Sequence, residues 1–263
     1  MTDSPLKTEI TDQGVAWVIL NRPEVHNAFG DALVKELVET FDRIKDDDSV
    51  RVVVLASEGK SFSAGADLKD MKAAASFTSE ENKANAMRFS NLLKTMNFMK
   101  KPMIGLIQGA AFGGAVGLTA VCDIVIASEK ASFSLSEVKL GIIPAMISPY
   151  VVAAMGARQA RRYFISAERF GAEEARRIGL VHEVVPHEEL RSRCDEILNV
   201  LLANGPQAMG EAKDLVFAVD GPVTDAMIED TAKRIAERRA TDEGQEGLAA
   251  FLEKRKPNWV GEG

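Results

Sequence analysis

Short apolar runs rich in β-branched residues alternate along this chain with longer segments of helical periodicity. Each run has the length of a buried strand and is closed by Gly, Asn, Ser or Asp. The runs are VAWVIL (15–20), RVVVLAS (51–57), MIGLIQG (103–109) and DIVIAS (123–128). Strands that alternate with helices predict an α/β fold.

Helical periodicity is clearest between the first two runs and after about residue 200. In residues 31–45 four apolar residues recur at spacings of four, four and three, as on one helix face: Leu33, Leu37, Phe41 and Ile44. After residue 200 no strand pattern remains, and segments that open at Pro206, Pro222 and Asp242 begin as helices often do. We therefore expect a core of residues 1–200 followed by a helical region, residues 201–263.

Composition excludes several classes of function. The 263 residues carry a net charge of -7, with a pI near 5.2, which argues against a nucleic-acid partner. No run approaches the roughly 20 apolar residues of a membrane span, and the N-terminus has no signal-peptide pattern. Two cysteines are too few for a disulfide framework, so we expect a cytoplasmic protein. The three histidines lack ligand spacing, so we expect no metal.

The stretch AFGGAVGLTAVCD (111–123) places Gly113, Gly114 and Gly117 near the start of a predicted helix. Glycine inside a helix costs about 1 kcal/mol relative to alanine, so close approach to this backbone is a better explanation than helix stability. Backbone N–H groups at a helix start favour negative charge, and since the phosphate-loop pattern fails here, an oxyanion is the better candidate. A second small-residue turn, SFSAGADL (61–68), offers another N–H group. Taken alone, each turn is better explained as a tight strand-to-helix connection with close packing.

Six ordered blocks resemble the enoyl-CoA hydratase/isomerase family, also called the crotonase family, over nearly the whole chain. The blocks are NRPEVHNAF (21–29), SFSAGADL (61–68), KPMIGLIQGAAFGGAVGL (101–118), CDIVIAS (122–128), FSLSEVKLGIIP (133–144) and FLEKRKPNW (251–259). The resemblance implies a spiral of ββα units with a helical C-terminal region that packs onto the core and builds a homotrimer or a hexamer. It also implies an acyl-CoA thioester substrate and no cofactor beyond it.

The resemblance assigns site residues as well. The thioester oxygen is expected between the backbone N–H groups of Ala66 and Gly114, with Glu137 as the catalytic carboxylate. The expected substrate and CoA contacts are Ala28, Ala64, Gly65, Asp67, Leu68, Gly113, Gly117, Phe251 and Lys254. On composition alone Lys254 belongs to a solvated helix end, and Asp123 is expected to be a structural cap or turn residue.

The sequence departs from the family pattern at Gly117. Family hydratases typically carry two glutamates, and Gly117 stands where the first is expected, while Glu137 occupies the second position. A glycine transfers no proton, so two readings stay open. As an isomerase, Glu137 would move a proton from C2 to C4 of a 3-enoyl thioester. As a hydratase, Glu137 would activate a water held in the space vacated at residue 117 and also supply the proton.

Residues 141–170 favour the hydratase. The usual glycine-rich loop is replaced there by Ala145 to Tyr150, and this version resembles the methylglutaconyl-CoA hydratase branch of the family. A third reading is a non-catalytic acyl-CoA binding protein, against which the presence of Glu137 argues.

Overall fold

The computed structural model describes residues 4–260, apart from the side chain of Leu68. Residues 1–3 and 261–263 of the predicted core and C-terminal region lie outside this range. The strands are β1 (Leu6–Ile10), β2 (Val15–Leu20), β3 (Val52–Ser57), β4 (Ser61–Ser63), β5 (Met103–Ile107), β6 (Ala110–Phe112), β7 (Ile124–Ser128), β8 (Ser132–Ser134), β9 (Phe170–Gly171) and β10 (Glu183–Val185).

The helices surround these strands and fill the C-terminal part. They are α1 (Asp31–Lys45), α2 (Leu68–Ala74), α3 (Ser79–Phe98), α4 (Gly114–Ala120), α5 (Ser148–Ser166), α6 (Ala172–Arg177), α7 (Leu190–Leu202), α8 (Pro206–Ala218), α9 (Asp225–Ala240) and α10 (Asp242–Glu253). A 3-10 helix spans Glu137–Leu140. The α/β prediction is confirmed, and β2 and α1 have the predicted bounds. No helix within residues 4–260 is long and apolar enough to cross a membrane.

Two sheets organise the core. The large sheet has the order β1-β2-β3-β5-β7-β10, and only its β1–β2 pair is antiparallel. Its central strands are buried on both faces: Val53 and Leu55 belong to the main core cluster, whereas Val52 and Val54 face a second cluster that includes residues of α7. Burial on both faces explains why these strands are continuous apolar runs rather than alternating ones.

The small sheet has the order β4-β6-β8-β9, and sequence patterns miss it because its strands are only two or three residues long. Three times the chain runs from the large sheet to the small sheet and then into helical structure: β3 to β4 to α2, β5 to β6 to α4, and β7 to β8 to the 3-10 helix and α5. This is the ββα repeat that the resemblance implies. Because β4, β6 and β8 are parallel neighbours, the residues that follow them meet at one edge.

The C-terminal helices are tied to the core by charged side chains. The guanidinium of Arg51, which precedes β3, donates to the carbonyls of Leu202, Asn204 and Trp259. Asp123 is structural, as expected, but its carboxylate accepts from the Met103 N–H at 2.8 Å and pairs with Lys213 of α8 at 2.9 Å. The predicted boundary at residue 200 falls inside α7, and the division into two regions stays a prediction.

We expect Lys213→Ala to lower the free energy of unfolding by about 1–3 kcal/mol at pH 7, because the half-buried Asp123 carboxylate loses its cation. Burial already raises the pKa of Asp123, and Lys213 opposes that shift. The loss should shrink as the pH falls through this raised pKa and should vanish well below 3.8, where the carboxyl is protonated in both states. Chemical denaturation measured at several pH values checks this.

The control is Lys7→Ala, which breaks the ion pair between Lys7 and Glu58. The side chains of that pair are 55% and 47% exposed, whereas those of Lys213 and Asp123 are 10% and 27% exposed. Lys7→Ala should cost less than about 1 kcal/mol. Equal losses for the two variants would mean that the Lys213–Asp123 pair stabilises the fold no more than an exposed ion pair does.

Candidate active site

The turn between β6 and α4 requires glycine at residue 113. Gly113 adopts φ 54° and ψ -120°, a conformation that residues with a side chain rarely adopt, and α4 begins at the next residue. Its own N–H donates to the Ser134 carbonyl of β8 at 2.9 Å. The N–H of Gly114 donates to no group among residues 4–260. The Gly114 N–H thus has no partner within the described chain, and its role as a donor to the substrate stays a prediction.

The second turn lies directly beside the first. Gly65 has φ 99°, and a Cβ placed on it would stand 3.4 Å from the Phe112 carbonyl oxygen, immediately before Gly113. The Phe29 N–H donates to the Gly65 carbonyl, and the Asp67 N–H donates to the Phe29 carbonyl. This bridge passes over Ala66, whose N–H has no acceptor in the described chain. The structure thus brings together the two turns that carry the predicted donors.

Glu137 follows β8 at the same edge and opens the 3-10 helix. Its Oε1 lies 3.2 Å from the position that a Cβ on Gly113 would occupy. Its Oε2 is buried and has no hydrogen-bond partner within the described residues. Burial raises the pKa of Glu137, and a hydrogen bond with its own backbone opposes this only in part. A half-buried carboxylate with an unused oxygen is suited to exchange a proton with a ligand.

Gly117 requires a correction. The expected open space beside it is filled, because Gly117 is buried and a Cβ placed on it would stand 2.8 Å from the Ile147 Cβ and collide with Ile147 Cγ2. Ile147 is 2% exposed and belongs to the main core cluster. Gly117 therefore offers neither a water site nor an open face to a substrate. Sequence reasoning missed Ile147, since nothing in the sequence pairs residue 117 with residue 147.

The residues expected to contact CoA are placed as follows. Ala64 and Ala66 are exposed, Gly65 is buried, and Ala28 is 9% exposed just before the bridging Phe29. Asp67 caps α2 by accepting the Lys69 N–H and also pairs with Arg22 at 3.2 Å, so its side chain has structural partners. The side chain of Leu68 lies outside the described residues.

The two C-terminal candidates lie on α10 and at its end. Phe251 is 81% exposed, and Lys254 is the left-handed C-cap of α10 with φ 55°. The helix makes its main contacts with α9 and α8. Within this chain the structure joins neither residue to the turns at Ala66 and Gly114, so their contact with CoA stays a prediction.

Asn27 is a second residue that sequence reasoning missed. It is fully buried with φ 53°, in the left-handed region that asparagine tolerates better than most residues. Its side chain accepts the Arg22 N–H at 2.7 Å and donates to the Glu58 and Ser61 carbonyls. These bonds hold the loop that delivers Phe29 to Ala66. The available signal was its place in the block NRPEVHNAF.

Residues 4–260 contain no cluster of three potential metal ligands.

The spiral of ββα units with its converging turns defines the crotonase class of α/β proteins, and comparisons with known proteins agree. An enoyl-CoA hydratase structure from Shewanella pealeana is 43% identical with a TM-score of 0.94, over 97% of this chain and 96% of that one. Pseudomonas aeruginosa AtuE is 38% identical with a TM-score of 0.93, over 98% and 100%. The short-chain-enoyl-CoA hydratase of Clostridium acetobutylicum is 32% identical over 92% of both chains.

The sequence model of the enoyl-CoA hydratase/isomerase family matches residues 10–262. The chain belongs to this family and is an enzyme. Its relatives in several species carry the hydratase name.

We expect Gly117→Ala to lower the free energy of unfolding by about 1–2 kcal/mol. Overpacking against Ile147 costs about 1–3 kcal/mol, whereas the gain in helix propensity is only about 1 kcal/mol. Urea denaturation of the variant and the wild type measures the difference.

Gly171→Ala is the matched control, because no atom lies within 4 Å of the added methyl group. It should change the free energy of unfolding by less than about 0.5 kcal/mol. If Gly117→Ala were as stable as the wild type, the space between Gly117 and Ile147, called the notch below, would have room for a methyl group.

Proposed function

We propose that this protein is an enoyl-CoA hydratase in which Glu137 acts as the single acid–base group. The observation that carries the proposal is the Glu137 carboxylate, whose Oε1 lies at Gly113 and whose buried Oε2 has no partner within the described residues. The Gly114 N–H, which follows Gly113 directly, also has no partner there. The N–H groups of Ala66 and Gly114 hold the thioester oxygen and stabilise the charge that develops there. The names of the relatives support hydration over other reactions of the family.

The proposed reaction is a syn addition. Glu137 takes a proton from water as the water oxygen bonds to C3, and the electrons of the C2–C3 double bond move toward the thioester oxygen to give an enolate. Protonated Glu137 then returns the proton to C2, the enolate collapses, and a 3-hydroxyacyl-CoA forms. One carboxylate thus serves as base and then as acid, with no net change in the protein.

Isomerisation is the second candidate, and Ile147 favours it. Since Ile147 fills the space beside Gly117, no second acid or water is held there. A single base that moves a proton from C2 to C4 of a 3-enoyl thioester needs neither. The two candidates share Glu137 and the two backbone donors and differ only in whether water is a reactant.

Finer features belong to the same proposal. The resemblance of residues 141–170 supports a branched, methylglutaconyl-like acyl group, and CoA enters as part of the substrate with no further cofactor. The CoA contacts are those assigned above, without Gly117. Exposed apolar side chains on the C-terminal helices, among them Ile228 and Phe251, support a homotrimer or a dimer of trimers. Two buried free cysteines are in keeping with a cytoplasmic location.

We expect Glu137→Gln to lower kcat by about 10²- to 10⁴-fold, because the amide keeps the shape of the side chain but cannot accept the proton. The affinity for a saturated acyl-CoA should change little, since the thioester oxygen is held by backbone groups. Steady-state kinetics and titration calorimetry measure the two effects. Turnover near the wild-type level would place the base elsewhere in the chain.

Isotope incorporation separates hydration from isomerisation. With a 2-enoyl-CoA in ¹⁸O-labelled water, a hydratase puts one solvent oxygen at C3, and in deuterated water it puts one deuteron at C2. Mass spectrometry of the product reads both labels. An isomerase acting on a 3-enoyl-CoA incorporates no oxygen, so a shifted double bond without ¹⁸O would replace hydration by the second candidate.

A further inference from the structure

Two side chains pack against glycines at the start of α4. The carboxylate of Glu137 lies at Gly113, directly before the helix, and the Ile147 side chain lies at Gly117, inside its first turn. The 3-10 helix that Glu137 opens also packs against α5, which Ile147 directly precedes. Glu137 and Ile147 therefore both pack at the start of α4.

These two residues are also the two ends of one loop. The residues between them are mostly exposed, including the large apolar side chains of Leu140 and Ile143, whereas Ile147 is buried. The loop is thus fixed to α4 at its ends. At one end is the Glu137 carboxylate. At the other is the β-branched side chain of Ile147, in a notch that exists only because residue 117 is glycine.

Ile147 belongs to the first turn of α5 by its backbone. Its dihedral angles, φ -90° and ψ -16°, are helical, and its carbonyl accepts the Val151 N–H at 3.0 Å. Its side chain packs at Gly117, so Ile147 joins the start of α5 to α4.

We propose that Ile147 is a positioning residue for Glu137: seated at Gly117, it anchors the loop that carries the carboxylate and keeps polar groups away from its inner side. This inference rests on the proposed role of Glu137. It also makes residues 117 and 147 depend on each other, because Ile147 fits only where residue 117 has no side chain.

The charged surroundings of Glu137 are sparse, so an apolar neighbour has a large influence. Of the nearby elements, α4, β6 and β8 contain no ionisable residue, whereas α5, on which its 3-10 helix packs, carries Arg158, Arg161 and Arg162 beyond its first turns. Its own 3-10 helix adds the exposed Lys139, and the first turn of α5 adds Tyr150, the pKa of which is raised by burial. Burial is the main cause of the raised pKa of Glu137, and neither of these groups contributes to it.

The test compares Ile147→Thr with Ile147→Val, which have the same shape and differ in one hydroxyl group. The hydroxyl of the Thr variant can solvate the Glu137 carboxylate and so lower its pKa. The fall of kcat/KM at low pH, the acid limb of the profile, should therefore lie at lower pH in the Thr variant than in the Val variant. The matched control is Ile126→Thr against Ile126→Val, at a fully buried position in the second core cluster. That pair should share one acid limb. Equal limbs for the two Ile147 variants, or an equal shift in the control pair, would overturn the inference.

Ile147→Leu guards against a Thr variant that fails to fold. Leucine keeps the hydrophobicity but lacks the Cβ branch that fills the notch, and such swaps usually cost less than about 1.5 kcal/mol. With the anchor loosened, kcat should fall by about 10-fold or more at nearly unchanged KM, and the acid limb should stay in place. An unchanged kcat would refute the anchoring role.

A readout without turnover separates this inference from the proposed function. Each variant is made with and without Glu137→Gln, and the pH dependence of the difference in unfolding free energy reports the ionisation of Glu137. The loss of unfolding free energy caused by the charged Glu137 carboxylate, called its penalty, should increase less with pH in the Thr variant than in the Val variant. Activity retained by Glu137→Gln would remove the proposed function and, with it, the catalytic purpose of the Ile147 contact. Equal penalties, with activity lost in Glu137→Gln, would remove the role of Ile147 alone.

Discussion

The absence of side chains at Gly113, just before α4, and at Gly117, within it, is the constraint on which the site depends. A methyl group at residue 113 would press on the Glu137 carboxylate, and one at residue 117 would collide with Ile147. Gly117, inside the helix, costs about 1 kcal/mol of helix stability relative to alanine, and the burial of Ile147 offsets that cost. Gly113 is favoured at its position by its φ of 54°. The three glycines of one short segment therefore serve three purposes: a turn, an open donor and a packing notch.

The small sheet converts this local feature into a site. Its strands are short, but Phe62 and Phe133 anchor them in the main core. Because β4, β6 and β8 run parallel, the turn at Ala66, the start of α4 and Glu137 all emerge at one edge. The central strands of the large sheet are buried on both faces and fix the positions from which these short strands start. Rigid strands thus hold groups that are distant in sequence within reach of one ligand.

Sequence patterns predicted the elements that bury long apolar runs and missed those that do not. The run at 15–20 and the helix at 31–45 have strong periodicity and match the structure at both ends. Strands of three residues show no period, so the small sheet was implied only by the resemblance. The residue types at the turns showed where close backbone approach occurs. They did not show that Ile147 fills the space at Gly117, because that contact joins two segments separated by 30 residues and is decided by packing.

The apolar setting of Glu137 links reactivity to instability. An ionised carboxylate in a half-buried niche lowers the stability of the fold above its raised pKa, and this penalty disappears as the pH falls below 4.5, where both states are protonated. A second polar partner would relieve the penalty and would also weaken the base by stabilising its charged form. Ile147 gives no such relief. A single carboxylate that must act as base and then as acid works best with a pKa nearer the working pH, and an apolar neighbour raises it in that direction.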